Sequence, residues 1–155
     1  MATTNRPILH YKDQIKLKAS PQQAWDTFKQ FDSIHTWHPA TEGTVLLVGE
    51  NGKPLAVREF QLKGGGFVIS ELLDYDEAKM WFQYRIIKTS IPLRGYVGEM
   101  QVVPADDGGS IVLWSAQFQR PDEVPQPGQD DGDTVQLVQG VFTAGLENLA
   151  VLTSQ

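Results

Sequence analysis

The sequence predicts an α+β protein in which one curved antiparallel sheet wraps around a long C-terminal helix. Apolar residues recur at steps of three and four across residues 133–152, which is typical of a helix with a broad apolar face. Most of the preceding chain consists of short apolar or alternating runs separated by turn residues, which indicates consecutive antiparallel strands. Such a helix needs an apolar partner, so we expect the sheet to enclose it, with a ligand cavity between the two.

Length and composition favour one folded domain over residues 1–155. Apolar residues make up 41% of the chain, charged residues 21%, and the formal net charge is −6. This acidic balance argues against nucleic acid as a partner, because nucleic-acid binders need clustered Lys and Arg. There is no cysteine, and no apolar run has the length of a signal peptide core or a membrane span. We therefore expect no membrane insertion and a cytoplasmic location.

The first strand is predicted at residues 8–19, followed by two short helices. Ser20 and Pro21 are suited to the N-cap and the first position of a helix that ends near residue 32. A second helical turn covers residues 35–37, and Pro39 ends it.

Six further strands and the long helix complete the predicted order. The pair Asn51-Gly52 is typical of a tight hairpin turn, and the segment 120–134 is rich in proline and acidic residues, which indicates an exposed connector. Either Asp133 or Thr134 is expected to cap the long helix. The six strands are predicted at residues 43–50, 55–62, 67–73, 79–88, 93–103 and 110–119.

The order of elements and several local stretches resemble the START or birch-pollen-allergen-like superfamily, in its polyketide cyclase/dehydratase-like branch. The resemblance spans nearly the whole chain, and the order and spacing of the stretches carry it more than any one motif. The matching stretches are residues 19–28, 31–39, 84–87, 91–98, 107–114 and 145–149.

This resemblance implies a helix-grip fold, with a seven-stranded curved antiparallel sheet around the C-terminal helix and two short helices after the first strand. It also implies an apolar pocket for a small hydrophobic or aromatic molecule, such as a lipid. Only some members of the superfamily are enzymes, so fold does not decide function. We expect ligand binding by a monomer or homodimer; the alternatives are a cyclase/dehydratase-like lyase and a module that interacts with another protein.

Alternation along the strands predicts which aromatic residues face the helix. Tyr84, Tyr96 and Trp114 each belong to an apolar alternating set, and we place all three inside the sheet. Each one singly could be core filler, but together they favour a cavity. From the long helix we expect Val138, Phe142 and Gly145 to face the ligand, with Gly145 either leaving room for it or allowing a strand to approach.

Trp37 and His38 follow the short helices, where the resembled family has its pocket rim. A histidine can exchange a proton near neutral pH, so His38 is a candidate for ligand binding or acid/base chemistry. The alternative is a histidine bonded only to backbone or water. His35 lies nearby, but no third ligand joins the two histidines, so we expect neither a metal nor a cofactor.

Arg58 and Glu71 are charged residues inside predicted strands. Burying a charge without a partner is costly, so an inward charge should meet a counter-charge or a ligand. Glu71 alternates with Phe67 and Ile69, which suggests an inward carboxylate that could act as a general acid or base. Arg58 could orient a carboxylate or a phenolate. The alternative for both is cross-strand ion pairing on the solvent face.

Overall fold

A computed structural model describes residues 6–154 of the protein. The short helices are joined by a 3-10 turn at Phe31–Ser33. The elements in chain order are β1 (Leu9–Leu17), α1 (Pro21–Phe28), α2 (Ile34–Trp37), β2 (Thr41–Val48), β3 (Val57–Leu62), β4 (Phe67–Asp76), β5 (Trp81–Thr89), β6 (Arg94–Pro104), β7 (Ser110–Gln119) and α3 (Asp131–Thr153).

The strands form one antiparallel sheet in the order β1-β7-β6-β5-β4-β3-β2. Consecutive strands from β2 to β7 are neighbours, and β1 closes the order by pairing with β7. The long helix α3 packs against β1 and β7 and touches both α1 and α2. The predicted fold class, a seven-stranded curved antiparallel sheet with a long C-terminal helix and short helices after the first strand, is confirmed.

Side-chain caps define where two of the helices begin. Ser20 caps α1 in a reciprocal arrangement with Gln23, as the sequence predicted for this serine. The cap of α3 is Asp130, whose side chain accepts a hydrogen bond from the backbone N–H of Asp133. The prediction of Asp133 or Thr134 as cap was therefore wrong, because Asp133 serves as the returning partner of the capping box.

The inward faces of β5, β6 and β7 agree with the alternation in the sequence. Tyr84, Tyr96 and Trp114 are all buried against the interior. On β4 the prediction was wrong. Leu72 is buried while Glu71 points to the outer face. The buried residues of β4 are Val68, Ser70 and Leu72.

Within residues 6–154, α3 is the helix long and apolar enough to cross a membrane. The core helix of a folded domain meets the same criteria. In this structure α3 packs on β1 and β7, with Phe142 and Leu149 fully buried.

Candidate functional site

A cavity of about 80 Å³ lies between the sheet and α3. Its walls are almost entirely apolar, and side chains of β2 to β7, of α2 and of α3 contribute to them. Apolar lining residues include Phe60, Val68, Leu93, Leu137, Val138 and Phe142. Polar lining residues are His38, Thr41, Arg58, Ser70, Tyr84 and Tyr96. An apolar hollow with a few polar groups is typical of a small-molecule site.

The size of the cavity limits what fits into it without movement. An engineered protein cavity of about 150 Å³ takes up benzene, and the cavity seen here has about half that volume. Several lining residues are only partly buried and mark the side nearest to solvent; these are Leu62, Ile86, Ile91, Leu137 and Val141. A larger ligand therefore requires these side chains to move outward.

Two tyrosines and a tryptophan form a buried hydrogen-bond network beside the cavity. The hydroxyl oxygens of Tyr84 and Tyr96 lie 2.7 Å apart, and the indole N–H of Trp114 donates to Tyr84 Oη at 3.0 Å. Burial raises the pKa of both phenols, that of Tyr96 well above its ordinary value, so both stay protonated at neutral pH. Trp114 also stacks on Phe142 of α3, with the ring centroids 4.1 Å apart.

Arg58 places a cation at the cavity wall. Its side chain is 5% exposed, and its guanidinium lies over the ring of Phe31 at 4.1 Å and near the rings of Phe60 and Tyr84. Nη1 donates to the carbonyl of Phe31 at 2.9 Å. Burial lowers the pKa of Arg58 to about 10, because a low-dielectric environment disfavours the charged form. The guanidinium therefore remains charged at neutral pH.

Ser70 is a site residue that the sequence analysis missed. It lies opposite Arg58 in the pairing of β3 with β4, and it is 1% exposed. The same alternation that buries Val68 and Leu72 buries Ser70, and this pattern was the signal available in the sequence. The alternation was ambiguous because Phe67 and Ile69 make the opposite face of β4 look apolar as well.

His38 lines the cavity, but both of its ring nitrogens bond to backbone. Nε2 lies 2.8 Å from the carbonyl of Val141, and the backbone N–H of Ala40 donates to Nδ1 at 3.1 Å. A carbonyl only accepts and an amide only donates, so the ring is neutral with its hydrogen on Nε2. Burial lowers the pKa of His38, and the nearby positive charge of Arg58 adds to this. The histidine holds α2 to α3 and has no free lone pair for proton abstraction.

Trp37 and Gly145 lie next to the cavity wall rather than on it. Trp37 packs edge-on against Trp114 with the ring centroids 5.6 Å apart. A Cβ atom at Gly145 would lie 2.8 Å from His38 Cδ2 and 2.9 Å from Trp114 Cζ3. The expectation that Gly145 leaves room for a ligand was wrong, since side chains from α2 and β7 already fill that space.

Glu71 lies outside the cavity, contrary to the expectation of an inward carboxylate. Its Oε1 accepts a hydrogen bond from Arg85 Nε at 2.8 Å on the outer face of the sheet. The structure thus separates the three catalytic candidates. Arg58 and His38 face the cavity, and Glu71 does not.

No group of three or more metal-ligating side chains comes together within residues 6–154. His35, the second histidine of this region, is exposed, and its Nδ1 lies 2.7 Å from Thr44 Oγ1. The two histidines therefore have separate partners.

Solved structures of the same fold are found in several bacteria. The protein XoxI from Bacillus cereus is 22% identical, with a TM-score of 0.83 over 94% of this chain and 96% of its own. An uncharacterised protein from Bacillus thuringiensis is also 22% identical, with a TM-score of 0.83 over 95% of this chain and 100% of its own. A protein from Nitrosospira multiformis is 19% identical, with a TM-score of 0.75 over 94% and 96% of the two chains. At these identities the similarity shows the fold alone.

A search of curated proteins gave no significant match. The family model described as polyketide cyclase/dehydrase and lipid transport matches residues 9–152, which include all seven strands and nearly all of α3. This agrees with the helix-and-sheet arrangement around the cavity. The chain therefore belongs to the polyketide cyclase/dehydrase and lipid transport family.

Proposed function

We propose that this protein binds a small hydrophobic or aromatic molecule in the cavity between the sheet and α3. The observation that carries the proposal is the apolar hollow of about 80 Å³ with only a few polar groups in its wall. Membership of a family described by lipid transport and polyketide chemistry supports the same ligand class. The proposed ligand contacts are His38, Arg58, Tyr84, Tyr96, Trp114, Val138 and Phe142.

We expect the protein to act in the cytoplasm, as a monomer or homodimer and without a cofactor. The ligand should enter beside Leu137 and Ile91, because these lining residues are partly exposed. Binding would move outward the apolar side chains that now narrow the cavity. The bound molecule would regain the dispersion contacts that an empty space lacks.

The experiment uses a substitution in α3 that fills part of the cavity. Leu137→Trp places an indole ring in the cavity wall, whereas Val151→Trp adds the same ring at a position of α3 that is 58% exposed. Benzyl alcohol serves as a neutral aromatic probe, followed by saturation-transfer NMR and calorimetry. Circular dichroism and the unfolding temperature of each variant establish that it is folded.

The proposal predicts binding to the wild type and to Val151→Trp, and affinity lower by about tenfold or more, or about 1.4 kcal/mol, in Leu137→Trp. Equal affinities of folded Leu137→Trp and wild type would overturn it, as would a wild type that takes up no apolar probe. Where the predicted binding is observed, mass spectrometry of small molecules released from the purified protein would identify the natural ligand.

A cyclase/dehydratase-like lyase is the second candidate, favoured by the family description and by protonated phenols beside the cavity. Such a reaction needs a base that removes a proton next to a ketone. His38 has both nitrogens bonded to backbone, and Glu71 lies on the outer face. We therefore propose ligand binding rather than lyase activity as the function. The third alternative, an interaction module, gains no specific support from the cavity.

A further inference from the structure

The polar groups in the cavity wall include hydrogen-bond donors without acceptors. Arg58 and Ser70 are direct neighbours across β3 and β4 and both line the cavity. The Nε atom of Arg58 and the Oγ atom of Ser70 are buried and have no hydrogen-bond partner among residues 6–154. Orphan polar atoms at such depth are uncommon, because each costs the free energy of its lost hydration. Two of them side by side indicate a site for a polar group of a ligand.

The tyrosine pair supplies one more donor hydrogen. Tyr84 and Tyr96 together carry two hydroxyl hydrogens, and the bond between them uses one. The remaining contact of Tyr84 is with the indole N–H of Trp114, which donates as well. Whichever phenol donates to the other, one hydroxyl hydrogen has no acceptor among residues 6–154. It lies beside the same cavity, because both tyrosines line it.

The positive charge of Arg58 at the cavity wall also has no counter-charge among residues 6–154. Arg58 forms no ion pair in the described part of the chain, and the aromatic rings of Phe31, Phe60 and Tyr84 surround its guanidinium. His38 is neutral and its acceptor nitrogen is occupied. Cation–π contacts offset only part of the free energy of burying a cation. An anion in the cavity would offset the rest.

We infer that the ligand is an amphipathic carboxylate whose carboxyl group binds Arg58 Nε and Ser70 Oγ. The apolar body of the ligand then lies along Val138 and Phe142, and the spare tyrosine hydroxyl can donate to the second carboxylate oxygen. A carboxylate fits because it only accepts hydrogen bonds and matches the planar guanidinium. This inference rests on the proposed function and adds the chemical class of the ligand.

The test compares acids with neutral alcohols of the same shape. Benzoate is paired with benzyl alcohol, and 3-phenylpropionate with 3-phenylpropanol; affinities are measured by calorimetry at neutral pH and moderate salt. The variants are Arg58→Met, Ser70→Ala and, as a matched control, Arg85→Met on the outer face. Thermal unfolding shows whether each variant is folded. Arg58→Lys is measured as well, because it keeps the charge but not the fork geometry.

The inference predicts that the wild type and Arg85→Met bind each acid more tightly than its alcohol, by about tenfold or more, since charge-assisted hydrogen bonds are stronger than neutral ones. Arg58→Met should lose this preference while still binding the alcohols, and Ser70→Ala and Arg58→Lys should reduce it. Alcohols that bind the wild type as tightly as the acids would overturn the inference but leave the proposed function standing. A preference that survives in Arg58→Met would also overturn it. Binding of neither class would overturn both.

Discussion

Gly145 of α3 lies directly against the indole of Trp114, so that a Cβ atom at this position would come within 2.9 Å of Trp114 Cζ3. The same atom would lie 3.0 Å from Trp37 Cζ3. A glycine in the middle of a helix costs about 1 kcal/mol relative to alanine, yet here it lets the helix meet two rings. The contact holds the helix against the short α2 segment and the centre of β7.

Gly145→Ala should therefore destabilise the protein. Overpacking costs about 1–3 kcal/mol, and the gain in helix propensity offsets about 1 kcal/mol of it, so we expect a net loss of up to about 2 kcal/mol. Gly140→Ala is the control, because a Cβ there meets no atom of residues 6–154 within 4 Å, and it should stabilise the protein by up to about 1 kcal/mol. Urea unfolding of both variants measures the difference. Two variants of equal stability would contradict the packing role of Gly145.

Arg58→Met should stabilise the ligand-free protein. Burial lowers the pKa of Arg58 to about 10, because the buried guanidinium has lost hydration and has no counter-charge among residues 6–154, and an apolar side chain avoids this cost. The substitution also loses the hydrogen bond to Phe31, worth about 1 kcal/mol. We expect a net gain of about 1–2 kcal/mol, measured by denaturant unfolding. A large loss of stability would mean that Arg58 is a structural residue, not one kept for ligand binding.

His38 should make the protein less stable in mild acid. Its folded-state pKa lies below the ordinary value of 6.5, because burial disfavours the cation and Arg58 repels it. As the pH falls below about 6.5, the unfolded chain takes up a proton that the folded protein does not, so stability decreases until the pH reaches the folded-state pKa. At higher pH this contribution is constant.

The measurement is the free energy of unfolding between pH 7.5 and pH 5. His38→Gln, which keeps a donor for the Val141 carbonyl, should show a shallower decline than the wild type. His35→Gln is the control, because His35 is an exposed histidine of α2, three residues before His38. Identical slopes for His38→Gln and the wild type would rule out His38 as the source of the acid sensitivity.

Glu71→Gln should leave ligand binding unchanged. The carboxylate of Glu71 pairs with Arg85 on the outer face, where Arg85 is half exposed. Partly exposed ion pairs contribute about 0–1 kcal/mol, so the free energy of unfolding should fall by no more than that. Benzoate affinity, measured by calorimetry, should stay within error of the wild type. A marked fall in affinity would show that Glu71 reaches the ligand after all.

Much of the fold could be predicted from local patterns. The order of elements, the cap at Ser20 and the long apolar helix all follow from signals that lie within a few residues of one another. The inward positions of Tyr84 and Trp114 were predictable because their strands alternate between apolar and polar residues. In such strands only one register buries the apolar set, so the local pattern is sufficient.

The face of β4 could not be predicted in this way. Phe67 and Ile69 make one face apolar, and Val68 and Leu72 make the other apolar as well. The pairing with β3 decides between them, because it sets Ser70 opposite Arg58. In this pairing Glu71 lies outside the candidate site and Ser70 lies within it, although the local pattern fits either face of β4.

By itself the sequence determined which elements form and which aromatic side chains of β5 to β7 the interior holds, because turn chemistry and periodicity act over short distances. Only the tertiary structure decided which residues meet. Arg58 lies beside Ser70, and Gly145 lies against Trp114, although 12 and 31 residues separate the members of each pair along the chain. Strand register and the seating of the helix on the sheet set these contacts, and both depend on the packing of the whole chain.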